Sequence, residues 1–123
     1  MPPEQPNTAA AKPAPQRLKQ RSEFLRAASK GRKAVANGLV LQALRRDDGM
    51  PTRLGFTVTK KVGNSVVRNR TRRRLKEAAR LLLQEVDVGS VDLVLIGRDA
   101  TRSRPFIALI DDIRRTLSKA GVL

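Results

Sequence analysis

Apolar positions along this chain fall into two rhythms, and the rhythms predict its elements. From Arg53 to Thr59, Leu54, Phe56 and Val58 alternate with Gly55, Thr57 and Thr59. That is the period of a strand with one buried and one polar face. From Ser65 to about Gln84 the spacing changes: Val67, Thr71, Leu75, Ala78 and Leu82 form the apolar stripe of a long helix. Val91 to Gly97 is nearly continuous apolar sequence, as expected of a central strand covered on both faces. Pro105 fits the first turn of a last helix, whose stripe is Phe106, Leu109, Ile110, Ile113 and Leu117, with Gly121 to end it. Further upstream, a strand to Ala36, an Asn37-Gly38 turn and a strand from Leu39 to Arg45 form a hairpin pattern. Ser22 is placed to cap a short helix carrying Phe24, Leu25, Ala27 and Ala28, which Gly31 ends. The order helix, three strands, helix, strand, helix predicts one α/β (α+β) sandwich, its helices packed on a small sheet.

The stretches between these elements sort by composition. Met1 to Gln16 holds five of the seven prolines among Ala, Gln and Asn. Such a segment cannot bury a core, so residues 1–16 are expected to form a disordered tail and 17–123 the domain. Asp47-Asp48 falls in a turn, and Asp111-Asp112 on the last helix; both pairs are expected to be solvated, with Asp111 paired to Arg115 at i, i+4. Arg98 to Arg104 is a polar connection with three arginines.

Charge narrows the function. Lys and Arg total 26 against 11 acids, a net charge of +15, which calls for a densely negative partner: nucleic acid, or less readily an anionic membrane surface. The chain has no Cys and no His, so Cys/His zinc sites, disulfides and Ser-His-Asp or Cys-His catalysis are excluded. No run approaches the roughly 20 apolar residues of a membrane span, and no apolar signal segment opens the chain, so a cytoplasmic protein is expected. With only three aromatics, Phe24, Phe56 and Phe106, contacts to phosphate and sugar should outweigh base stacking.

The charge is concentrated between Lys60 and Lys76, a stretch with eight basic residues and no acid. Cations in the first turns of a helix oppose its dipole. Arg68 stands where a Glu would close a capping box with Ser65. Arg68, Arg72, Lys76 and Arg80 also repeat at i, i+4, each like-charge pair costing a few tenths of a kcal/mol. A sequence optimised only for folding would avoid all three, and a bound polyanion would reverse them. Gly63-Asn64-Ser65 leads into backbone N–H groups at a helix start, a phosphate-binding geometry. A helix in a DNA groove would share these features, although helix-turn-helix spacing is missing.

The run Arg53-Leu-Gly-Phe-Thr-Val-Thr-Lys-Lys-Val-Gly-Asn-Ser-Val-Val-Arg-Asn-Arg70 resembles the protein component of bacterial ribonuclease P, and the likeness extends from about Arg17 to Leu117. The resemblance implies a two-layer α/β sandwich in the order αβββαβα with a left-handed βαβ crossover. It implies a subunit of an endoribonuclease that matures tRNA 5′ ends. Catalysis would belong to an RNA subunit and the magnesium ions it holds, with no metal and no catalytic residue on this chain. The partners would be that RNA and precursor tRNA, with no membrane and no obligate protein partner. Lys60, Lys61, Asn64, Arg68, Asn69, Arg70, Arg72, Arg73 and Lys76 would bind the RNA subunit. The single-stranded 5′ leader would lie in a cleft between the first helix and the sheet, at Phe24, Val40 and Gln42. Where family members often carry further aromatics this chain has Ala28 and Gln42, so polar and van der Waals contacts would take the place of stacking. An RNA-binding protein without a linked reaction, such as a ribosomal protein, shares the size and charge but not the Lys60–Arg70 signature. An autonomous metal-dependent nuclease would have to draw on Asp47, Asp48, Asp111 or Asp112.

Overall fold

A computed structural model of the chain describes residues 14–123. Its elements are β1 (Gln16–Arg17), α1 (Arg21–Lys30), β2 (Arg32–Val35), β3 (Leu39–Arg45), β4 (Arg53–Val58), α2 (Ser65–Glu85), β5 (Val91–Gly97), a 3-10 turn (Asp99–Arg102) and α3 (Phe106–Lys119). The five strands lie in the order β1-β4-β5-β3-β2. The apolar strand β5 is central, as its composition predicts. It pairs parallel to β4 and antiparallel to β3, so β4-α2-β5 is a parallel crossover through the basic helix. No helix among the described residues is long and apolar enough to cross a membrane.

Alternation along the strands divides the sheet into two faces. Leu39, Leu41, Leu93 and Leu95 point to one side, where Leu75 and Leu82 of α2 and Leu109, Ile113 and Leu117 of α3 close the main core. Burying each of these leucines stabilises the fold by about 1.5–3 kcal/mol. On the other face α1 gives partial cover, with Ala27, Phe24 and Leu18 packed on Val94 and Ile96. Gly55 therefore does not face water, contrary to the alternation read for its strand. The Phe24 ring lies on it, and a Cβ at Gly55 would stand 2.5 Å from Phe24 Cε2 and 2.9 Å from Leu18 Cδ1. Gly55→Ala is expected to destabilise the fold by about 1–3 kcal/mol through overpacking and to lift α1 from the sheet. Thermal melts, with hydrogen exchange across α1, would measure both effects.

Several local expectations are corrected. Gln16, the last residue of the expected tail, is in β1, pairing with Arg53 at the edge of β4; residues 1–13 of that tail lie outside the described part. Ser22 is not the cap of α1. The helix begins two residues earlier than that cap would allow, after Gln20, because the Glu23 carboxylate reaches back to accept the N–H groups of Lys19 (2.8 Å) and Gln20 (2.9 Å). The cap of α2 is likewise Asn64, whose Oδ1 accepts the Val67 N–H at 3.0 Å. Val67, rather than Arg68, thus occupies the position where a capping-box glutamate would sit. Asp112 is not solvated. It is 1% exposed and accepts hydrogen bonds from the Gly38 N–H and, in a fork, from Arg104 Nε and Nη2. It thereby ties the Asn37-Gly38 turn to α3. Asp111 does pair with Arg115 at 3.0 Å, and Asp48 sits in an exposed turn accepting the Met50 N–H.

Candidate nucleic-acid interface

The end of β4 and the start of α2 carry the charge. After Val58 the chain turns through Lys60 and Lys61, both exposed, while Val62 plugs the core beneath them. Gly63 is required by contact: a side chain there would stand 2.7 Å from Val67 Cγ1. Asn64 then caps the helix, so its side-chain oxygen is already engaged by the fold.

Around α2 the basic residues point in three directions. Thr71, Leu75, Ala78, Ala79, Leu82 and Leu83 form the buried side. Asn69, Arg73 and Lys76 are exposed on the outer side. Arg72 turns toward α1, with Nη1 held by Asn69 Oδ1 at 2.8 Å. Arg70 and Arg74 turn the opposite way, toward the Asp99–Arg102 turn. Arg74 is committed to the fold: it donates to the Arg104 carbonyl and its guanidinium lies 6.0 Å from the Phe106 ring centroid. Arg68 is half-buried and reaches Ser65 Oγ at 3.3 Å. Among the described residues, Lys60, Lys61, Arg70, Arg73 and Lys76 have no carboxylate partner, whereas Arg80 is neutralised by Glu77. The side-chain hydrogen bonds between Arg80 and Glu77, and then their opposite charges, raise the guanidinium pKa and lower the carboxyl pKa.

A second feature lies beside this surface. Strand register aligns Val35, Val40, Ile96 and Thr57 in one cross-strand row on the face that α1 only partly covers. The adjacent row is Lys33, Gln42, Val94 and Gly55, the last two lying under α1. Val40 and Gln42 thus lie on the same face as Phe24, two strand spacings (about 10 Å) from its seat on Gly55. At the β4 end the row opens into a concavity of about 450 Å³ lined by Phe24, Thr57, Arg21 and Arg72. The result is an apolar groove with cations at its mouth, fit for a single strand whose bases meet carbon and whose phosphates meet arginine. Arg72 belongs geometrically to this groove as much as to the outer side of α2. Sequence reasoning missed Val35, Ile96 and Arg21. Alternation places Ile96 opposite Leu95, but only the pairing register reveals the row it joins.

One ionic cluster fixes the groove wall. Arg53 donates from Nε and Nη2 to both oxygens of Asp92 (2.7 Å each), and from Nη1 to Glu23 Oε2 at 2.7 Å. Arg46 Nη1 adds a third bond to Asp92 at 3.1 Å. The Glu23 carboxyl is held below its usual pKa, first by the Gln20 and Lys19 backbone N–H groups and then by Arg53. Asp92 raises the pKa of Arg53. The carboxylates nearest the groove are therefore bound to arginines, and no group of three acids that could hold a metal ion occurs among the described residues.

Comparisons with known proteins bear on what this surface serves. A family profile described as ribonuclease P matches residues 13–121. The ribonuclease P protein component of Gluconacetobacter diazotrophicus is 68% identical over 106 residues, covering 86% of this chain and 91% of that protein. Among solved structures, the RNase P protein of Staphylococcus aureus aligns with a TM-score of 0.71 and 25% identity, over 90% of this chain and 98% of that one. The RNase P protein of Thermotoga maritima shares the fold at a TM-score of 0.72 and 22% identity, over 85% of this chain and 96% of that one. With the basic helix and the groove beside it in place, these matches establish that the chain belongs to the ribonuclease P protein component family.

Proposed function

We propose that this chain is the protein subunit of a cytoplasmic ribonuclease P and assists the endonucleolytic maturation of tRNA 5′ ends by holding two RNA segments in adjacent sites. The observation that carries this reading is the side-by-side placement of an unpaired cationic surface and an open apolar groove. Lys60, Lys61, Arg68, Asn69, Arg70, Arg73 and Lys76 meet the phosphates of the catalytic RNA subunit; Asn64 contributes chiefly by capping α2. Phe24, Val40 and Gln42 line the path of the precursor's 5′ leader, with Arg72 at its mouth.

The family's reaction uses metal ions, which we take to be magnesium. Among the described residues no group of three acids could hold them, and the buried carboxylates, Asp92 and Asp112, are hydrogen-bonded to arginines. Metal chemistry therefore falls to the RNA subunit, and the protein's contribution is to bind, orient and neutralise charge. No second protein is needed in this scheme. The test is cleavage of precursor tRNA by a bacterial RNA subunit in low magnesium, with and without the protein. A clear stimulation is expected. If the protein adds nothing, or if it cleaves alone and loses that activity in an Asp→Ala variant, the reading fails.

A further inference from the structure

The three arginines between β5 and α3 have separate fates. Arg98 donates to the Ala36 carbonyl at 2.7 Å, and Arg104 is forked onto buried Asp112. Both are part of the scaffold. Arg102 is not: its side chain is 49% exposed, and its one partner among the described residues is Asp99, itself 81% exposed, at 3.1 Å. Such a pair contributes little to stability.

Arg102 nevertheless has a defined place. The 3-10 turn and α2 enclose an open groove of about 400 Å³, lined by Arg70, Arg74, Asp99, Arg102 and Ser103 among others. Arg74 is fixed in its wall by the Arg104 carbonyl and the Phe106 ring. Arg70 has no carboxylate partner among the described residues. Ser103 is exposed and offers a hydroxyl. The groove thus brings three guanidinium groups from two elements around one space, and among the described residues Asp99 is the only acid in its lining.

We propose that this groove is a second phosphate site, in which a backbone phosphate of a bound RNA seats between Arg70 of α2 and Arg102 of the turn, with Asp99 as its built-in competitor. In the free protein Asp99 occupies Arg102; when the phosphate enters, Arg102 exchanges a lone surface carboxylate for a bidentate anion in a fixed arginine setting. The site lies across α2 from the leader groove, so it would grip a different stretch of RNA. The inference rests on the reading that α2 faces RNA.

That exchange gives two substitutions opposite signs. Arg102→Gln removes a phosphate contact. Its affinity should fall severalfold at low salt, and its log–log salt slope should shrink by about 0.7–0.9, the release expected per phosphate neutralised. Asp99→Asn removes the competitor, so its affinity should rise severalfold. A pair that merely braced the turn would weaken binding equally in both variants. The experiment titrates the RNA subunit with wild type, Arg102→Gln, Asp99→Asn and Arg70→Ala across a salt series, and repeats it with precursor tRNA and the assembled holoenzyme. Thermal melts check that each variant is folded. Opposite shifts in the first arm assign the phosphate to the RNA subunit, and in the second arm to the substrate; either supports the site. Equal losses for Arg102→Gln and Asp99→Asn overturn it. It is also overturned if both leave binding unchanged while Arg70→Ala weakens it, in which case the α2 surface still stands. If Arg70→Ala is silent as well, the reading of α2 fails and the groove site falls with it.

Discussion

Replacing Arg68 and Arg70 together by alanine is expected to weaken binding of the RNA subunit at least tenfold at low salt while leaving the protein as stable as before. Each guanidinium–phosphate contact is charge-assisted, worth about 1.5–3 kcal/mol. Loss of even one such contact is therefore about tenfold or more. The folded protein gives up much less. Arg70 is exposed without a carboxylate partner among the described residues, and Arg68 has one hydrogen bond, to Ser65 Oγ. Neither anchors the core, which lies on the Thr71, Leu75 and Ala78 side of α2. Alanine also suits a helix interior, and losing Arg68 relieves its repulsion with Arg72 by a few tenths of a kcal/mol. The variant should melt at or slightly above the wild-type temperature. Titrations over a range of salt should show the slope reduced by about 1.5 units for two contacts. Weak binding with an unchanged slope would mean that these arginines act without touching phosphate. A lower melting temperature would mean that the affinity loss reflects damage to the helix.

This decoupling of binding from folding could be anticipated from the chain because it is written locally: eight cations, no acid, and a helical stripe of apolar residues that says which side is buried. The same holds for β5, whose apolar run marks it as central, and for the stripes of α2 and α3. What could not be read depends on distant parts of the chain. β1 is only two residues long and exists because β4 offers an edge. Asp92 sits within an apolar strand, and nothing adjacent in sequence announces that Arg46 and Arg53 enclose it. Asp112 looked solvated beside Asp111, yet its fate is set by a backbone N–H 74 residues away. The groove row of Val35, Val40, Ile96 and Thr57 needs the register of four strands. For the site, the cationic residue types were legible, but their division among groove, outer side and turn was not. That division follows from how α2 is rotated on the sheet, which the stripe defines only to within a few residues.

The second large effect is expected at Asp92. It is 2% exposed and accepts three hydrogen bonds from two arginines. Asp92→Ala strips the buried counter-charge from Arg46 and Arg53, a change that costs about 3–5 kcal/mol. For a domain of this size the melting temperature should fall by on the order of 10 °C. Arg53→Met is the more informative variant, because Arg46 still neutralises Asp92 while the bond from Arg53 to Glu23 is lost. Its consequence should be regional. α1 loses its tether to the sheet at the end where Phe24 rests on Gly55, so binding of a precursor with a 5′ leader should weaken. Binding of the RNA subunit through α2 should hold. If both affinities fall together, the cluster supports the whole fold rather than the groove. Glu23 adds a pH signature. Its pKa is lowered in the folded state, so its stabilisation is complete above its ordinary 4.5 and is lost as pH falls through the lower folded value. The stability advantage of wild type over Glu23→Gln should therefore be full at neutral pH and narrow steadily below about 4.5, as chemical unfolding along a pH series would show. An advantage that stayed constant into acid would mean that the carboxylate charge, and with it the link from α1 through Arg53 to the central strand, does not hold the groove wall in place.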